Sequence, residues 1–177
     1  MQELSLNVLD VAQNSVSAGA KLIEISVCEN TADALMIITI KDDGCGMDAE
    51  TVKRVIDPFY TSRTTRKVGL GVPFFKQSAE QTGGSFTIDS IPGVGTTVRA
   101  QYHTDNIDCL PLGDICSTIT MLVTLNTGID FIFTSVKDEN SFVFDTKEIK
   151  EILGDVPLNE PSVVTFIEEY LKDNSNH

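Results

Sequence analysis

The sequence predicts an α/β fold, on three observations. Apolar positions Leu6, Leu9, Ala12 and Val16 recur at helical spacing near the start of the chain. Ile- and Val-rich runs follow in pairs, each pair separated by turn residues. Helical and strand-like segments then alternate to the end. With 177 residues, 41% of them hydrophobic, the chain is long enough for a domain with its own core plus an appended subdomain.

The first helix runs from about Gln2 to Ser17 and stops near Gly19. Leu22–Cys28 and Leu35–Lys41 flank the polar Glu29–Ala34 and form a hairpin. Asp48 caps a short helix over Ala49–Ile56, which Pro58 ends, and the polar, basic stretch Thr61–Val68 is a loop. A helix over Leu70–Gln81 begins at Gly69-Leu70-Gly71, because Pro73 fits only a first turn, and Gly83-Gly84 ends it. Ser85–Ile91 and Thr96–His103 form a second hairpin about Pro92-Gly93-Val94-Gly95. Beyond it come an apolar helix over Asp114–Leu125, a hairpin of Ile129–Val136 and Ser141–Phe144, and amphipathic helices over Thr146–Leu153 and Pro161–Lys172. Residues 115–125 are rich in β-branched side chains and by pattern alone suit a strand as well as a helix.

Composition removes several classes of function. The net charge of −13 opposes binding to a phosphate backbone, so a nucleic-acid partner is not expected. No apolar run reaches the roughly 18 residues of a membrane span, and the first residues lack the pattern of a signal peptide, so no membrane partner and a cytoplasmic location are expected. Cys28, Cys45, Cys109 and Cys116 form no CxxC pair and are expected to be reduced thiols. Charge is uneven: residues 1–103 hold 9 basic and 12 acidic groups, residues 104–177 hold 4 and 14. That shift predicts a boundary near Tyr102 to Asp105, with an acidic αββαα subdomain after it.

Four segments carry candidate chemistry. Asp10 and Asn14 are four apart and therefore share a helix face, ahead of Ala18-Gly19-Ala20. Asp42-Asp43-Gly44-Cys45-Gly46-Met47 ends an apolar strand 28 residues after Asn14. Asp57-Pro58-Phe59-Tyr60-Thr61-Ser62-Arg63 leads into Lys67-Val68-Gly69-Leu70-Gly71, where a helix N-terminus offers free amides to an anion. Arg63, Arg66 and Lys67 place three positive charges within five residues of an otherwise acidic chain, which suits a polyphosphate. The fourth segment is Gly93-Val94-Gly95-Thr96-Thr97-Val98.

Together and in this order, the four segments resemble the motifs of the GHKL superfamily of histidine-kinase-like ATPases, and the first is most like the N-box of mismatch-repair ATPases. The resemblance covers residues 1–103. It implies the Bergerat fold, a two-layer α+β sandwich of a mixed sheet with helices on one face, and it implies ATP and Mg²⁺ as ligands. By this resemblance Asn14 holds the metal, whose preference for oxygen ligands a side-chain amide meets. Asp10 stands where the hydrolysing branches carry Glu and would act on water, one methylene short. Asp42 would accept from the adenine amino group, Gly44 and Gly46 would admit the base, Met47 would pack on it, and Thr96 would join Asp42 through water. Arg63, Lys67, Gly69, Leu70 and Gly71 would meet the phosphates, although Lys67 replaces a family glycine.

The resemblance supports three activities. The first is an ATP-driven conformational switch with slow hydrolysis, the second a protein kinase acting in trans on serine or histidine, and the third a nucleotide sensor without turnover. The N-box lies almost at Met1 and the histidines are His103 and His177, so an autophosphorylating kinase would need its acceptor on another protein. A protein partner docking on residues 104–177 is expected, and a homodimer is compatible with the family.

Overall fold

The computed structural model describes residues 3–59 and 70–177. Arg63, Arg66, Lys67 and Gly69, expected at the phosphates, lie outside the described residues. The elements in chain order are α1 (Leu4–Ser17), β1 (Leu22–Asn30), β2 (Leu35–Asp42), α2 (Ala49–Ile56), α3 (Gly71–Gln81), β3 (Ser85–Ile91), β4 (Gly95–His103), α4 (Ile115–Leu125), β5 (Asp130–Lys137), β6 (Asn140–Asp145), α5 (Thr146–Leu153) and α6 (Pro161–Asn174). The segment with mixed propensity, 115–125, is helical. Asp114 caps it by accepting the Ser117 N–H at 2.9 Å, and its apolar residues Ile115, Ile119, Leu122 and Val123 pack into the core. Asp48 caps α2 in the same way, through the Thr51 N–H at 2.8 Å.

The strands form one six-stranded mixed sheet in the order β3-β4-β2-β1-β5-β6. β1 pairs antiparallel with β2 and parallel with β5, so the strands after His103 extend the sheet that the first 103 residues begin. Alternation along each strand sends one row of side chains to the helices: Ile23, Ile25 and Val27 of β1, Ile38 and Ile40 of β2, Val98, Ala100 and Tyr102 of β4, and Phe131 and Phe133 of β5. The opposite row, including Glu24, Ser26, Thr39, Thr97 and Arg99, is half-buried. The result is the α/β architecture expected, with helices on one face of a mixed sheet.

Residues 104–177 share this core. Phe131, Phe133 and Phe144 belong to the same buried cluster as Leu4, Val8 and Phe75. Removing a side chain of that size from water contributes roughly 1.5–3 kcal/mol. The free amides at the start of α1 are met by the tail: Leu4 N–H donates to the Pro111 carbonyl at 2.9 Å and Ser5 N–H to that of Leu112 at 2.8 Å. No side chain caps α1, so this backbone contact does the work of a cap.

The last residues fold back onto β5. Asn176 N–H donates to Ser135 Oγ at 3.1 Å, and the His177 ring lies with Nδ1 2.8 Å from the same oxygen and Nε2 3.4 Å from Glu29 Oε1. Burial lowers the His177 pKa from the ordinary 6.5, Glu29 opposes the shift and Lys137 adds to it. The unfolded chain therefore binds the proton more readily than the folded one, and stability is lost as pH falls below the ordinary imidazole value. We expect the melting temperature to drop between about pH 7 and pH 5, and His177→Gln to flatten that slope. Thermal unfolding of both proteins across this range checks it, and equal slopes would remove the histidine from the account.

Candidate functional site

A cavity of about 320 Å³ opens between α1 and the β2–β4 end of the sheet. Its walls are mostly apolar: Val11 and Ala18 from α1, Val55 from α2, Val72 from α3, Ile88 from β3 and Val98 from β4. Asn14, Ser15, Asp42 and Thr96 supply polar groups, and Met47 lies along one side. A largely apolar cavity with few convergent polar groups is the general form of a small-molecule site.

Asp42 is the best-determined of these groups. Its Oδ2 accepts from Ser15 Oγ at 2.5 Å and its Oδ1 from the Gly44 N–H at 2.9 Å. The neighbouring Asp43 has a different task. It accepts the N–H groups of Leu22 at 3.0 Å and Lys21 at 2.7 Å, and the Leu22 contact above all holds its carboxyl below the usual carboxylate range. Asp43 thus ties the start of β1, which leaves Asp42 to the cavity.

Backbone proximity explains the glycines around this carboxylate. Gly46 has φ +69°, and a Cβ there would come 2.0 Å from the Ile91 carbonyl oxygen. Gly95 has φ +144°, and a Cβ there would lie 2.0 Å from the carbonyl oxygen of Asp42. Gly44 faces Ala18 at the end of α1. These glycines allow protein backbone to approach protein backbone. The loop before α2 is held to the β3–β4 hairpin by Gly93 N–H to Cys45 O at 2.7 Å and Met47 N–H to Ser90 Oγ at 2.8 Å. Ser90 Oγ is also 2.7 Å from Thr96 Oγ1 and 3.2 Å from Gly95 O.

Asn14 lines the cavity one turn beyond Asp10 on α1. Asp10 stands beside the N-terminus of α3, where a Cβ on Gly71 would come 2.7 Å from its own Cβ. Asp10 is exposed, yet partial desolvation raises its carboxyl pKa above the ordinary 3.8. Leu70 occupies the N-cap of α3 and is 41% exposed. The sequence expectations thus meet in one place for Asn14, Asp42, Gly44, Gly46, Met47 and Thr96, with Asp10, Leu70 and Gly71 grouped at the start of α3. Ser15 and Ser90 were not singled out from sequence. Ser15 directly follows Asn14, and the hairpin register that pairs Ser90 with Thr96 would have located the second serine.

The fold is that of a mixed α/β sheet with an apolar cavity at one end, and comparison with known proteins supplies the family. Residues 1–106 match the model of the histidine kinase-, DNA gyrase B- and HSP90-like ATPases, and the chain belongs to that family. It is 32% identical over 97 residues to the signal transduction histidine-protein kinase AtoS of Escherichia coli, over 55% of this chain and 16% of that one. It is 36% identical over 81 residues to the sensor histidine kinase WalK of Bacillus subtilis, over 43% of this chain and 13% of that one. The match is thus to a small part of each relative's length. The Aquifex aeolicus MutL ATPase domain, solved with ADP, shares the fold with a TM-score of 0.51 at 15% identity, over 86% of this chain and 69% of that one. Among the described residues no helix is long and apolar enough to cross a membrane.

Proposed function

We propose that this chain binds ATP with magnesium and hydrolyses it slowly, using the cycle to switch conformation. The observation that carries the reading is the Asp42 carboxylate, fixed by Ser15 and Gly44 at the wall of a mostly apolar cavity. Thr96 stands on the strand beside it, paired with Asp42 across β2 and β4. Met47 and the aliphatic walls receive the ring, and the start of α3 with Leu70 and Gly71 faces the phosphates. Arg63, Lys67 and Gly69 complete the phosphate contacts in this reading. Incubation with γ-labelled ATP tests it: free phosphate supports hydrolysis, label retained on protein supports transfer, and neither, with binding intact, supports a sensor.

Among the described residues there is no cluster of three His, Cys, Asp or Glu side chains able to hold a metal alone. Magnesium does not require one, since it keeps waters and phosphate oxygens in its shell and takes one or two protein oxygens. The Asn14 side chain in the cavity wall fits that requirement. The metal would supply charge neutralisation on the triphosphate. Asn14→Ala is expected to remove the Mg²⁺ dependence of ATP binding and to leave ADP affinity without metal nearly unchanged. Calorimetry with and without Mg²⁺ checks this, and equal Mg²⁺ enhancement in variant and parent rejects the metal assignment.

A protein kinase acting in trans is the second reading, favoured by the two relatives named as histidine kinases. Residues 104–177 are read as the docking side for a protein partner in either case. Their acidic surplus and the exposed Met121, Leu125 and Phe166 support this. Leu125→Asp with Phe166→Asp should weaken partner or homodimer association and spare ATP affinity. If sedimentation and partner binding stay at the parental level in that variant, the docking role is lost.

A further inference from the structure

The segment Ser175-Asn176-His177 leaves the end of α6 and closes on β5 through polar contacts. The fully buried Ser135 Oγ is its anchor: it accepts the Asn176 N–H at 3.1 Å and the Ser175 hydroxyl at 3.2 Å, and His177 Nδ1 lies 2.8 Å away. Asn176 Nδ2 donates further to the Ser135 and Asn140 carbonyls, both at 3.2 Å. The segment has no apolar side chain, and Lys172, Asp173 and Asn174 just before it are exposed. A piece of chain with few buried apolar contacts opens locally at lower cost than the fold as a whole.

His177 makes that opening depend on protons. A hydroxyl oxygen has two lone pairs, and those of Ser135 are taken by Asn176 and Ser175, so its single hydrogen is left for His177 Nδ1. The neutral ring then carries its own hydrogen on Nε2, which is buried and has no hydrogen-bond partner among the described residues. A second ring proton falls on Nδ1, where it meets the Ser135 hydrogen and leaves a buried hydroxyl without an acceptor.

The surrounding charges are divided. Glu29 of β1, with Oε1 3.4 Å from Nε2, favours the proton, and Lys137 of β5, 3.8 Å from the same oxygen, opposes it. Cys109, ahead of α4, lies near Glu29, and Cys116 of α4 lies against Ser175 in the field of Asp114, Glu168 and Lys172. Burial raises the pKa of both thiols, so neither adds charge near neutral pH. The contact from β6 is the uncharged Asn140 carbonyl. Burial outweighs Glu29, and the ring holds its proton less well than an ordinary imidazole.

We propose that residues 175–177 are a proton-released clasp: protonation of His177 detaches the segment from Ser135 while the sheet stays folded, and uncovers the Cys116 thiol. In the closed state Cys116 is 3% exposed.

The test uses the full chain with Cys28, Cys45 and Cys109 replaced by Ser, which leaves Cys116 as the single thiol. Its reaction with 4,4′-dithiodipyridine is measured between about pH 7 and pH 5, as a rate relative to the denatured chain at the same pH. Amide exchange of β1 and β2, corrected for intrinsic rates, is followed in parallel. One proton taken up on opening raises the open fraction by up to about tenfold per pH unit, so the relative rate should climb by about tenfold or more while β1 and β2 keep their protection. In a His177→Gln variant, whose amide takes no proton, the relative rates at the two pH values should agree within about twofold. In Ser135→Ala the thiol should react faster than in the parent at both. A parental rate that does not change with pH overturns the proposal, as does the same rise in His177→Gln or an unchanged rate in Ser135→Ala. A rise that coincides with loss of β1 and β2 protection overturns it as well, because the fold would then be opening as one unit.

Discussion

Asp10→Asn is expected to lower steady-state phosphate release by about 10²–10⁴-fold while ATP affinity stays nearly unchanged. Asp10 lies one turn before Asn14 on α1, with its Cβ beside Gly71, the first residue of α3, and in the proposed reading its carboxylate acts on water at the phosphates. Partial desolvation raises its pKa, which makes it a better proton acceptor than an ordinary surface carboxylate. A base works only when deprotonated, so the rate should fall as pH drops through this raised pKa, and the acid limb should lie above that of an ordinary Asp. Asp10→Glu adds one methylene and should speed release if reach limits the parent. The measurement is phosphate release in all three proteins. Identical rates would show that Asp10 takes no proton from water and would favour transfer to a protein acceptor.

Asp42→Asn is expected to weaken ATP and ADP alike by about ten- to a hundredfold, the range of a hydrogen bond to a charged group. The hydrogen bonds of the parent explain why the change is not conservative. The Gly44 N–H can only donate, so the amide must turn its oxygen there and its NH₂ toward Ser15. An amino group would then stand where the parent offers a lone pair to the base. Because base contacts are common to both nucleotides, the losses should match within about twofold. Calorimetry with both ligands decides, and unchanged affinities in a folded variant would remove Asp42 from the base site.

Much of the architecture is legible in local pattern. Hydrophobic period and turn residues locate the twelve elements among the described residues to within a few residues, because those signals depend on near neighbours alone. Motif order also singled out residues of one candidate cavity: Asn14, Asp42 and Thr96 are far apart in the chain yet line it together. The charge step near residue 103 does not reveal that both sides of it share a sheet. Strand pairing joins Ile23 to Phe131 over a long stretch of chain, and no local pattern encodes which strand becomes the neighbour of β1.

What the sequence by itself determined is the set of elements, the alternation that gives each strand one face for the core, and the acidic, amide and glycine residues of the candidate site. What only the tertiary structure decided is how those groups are divided. Asp42 and Asp43 are adjacent and chemically alike. The amides of Lys21 and Leu22 take one, and the hydroxyl of Ser15 with the amide of Gly44 orients the other. The glycines follow the same rule, since Gly46 and Gly95 are required by carbonyl oxygens that fold against them from Ile91 and Asp42. Residue type sets what a group can donate or accept, but its partner is chosen by packing between segments distant in sequence, and that choice exists only once the sheet and helices have come together.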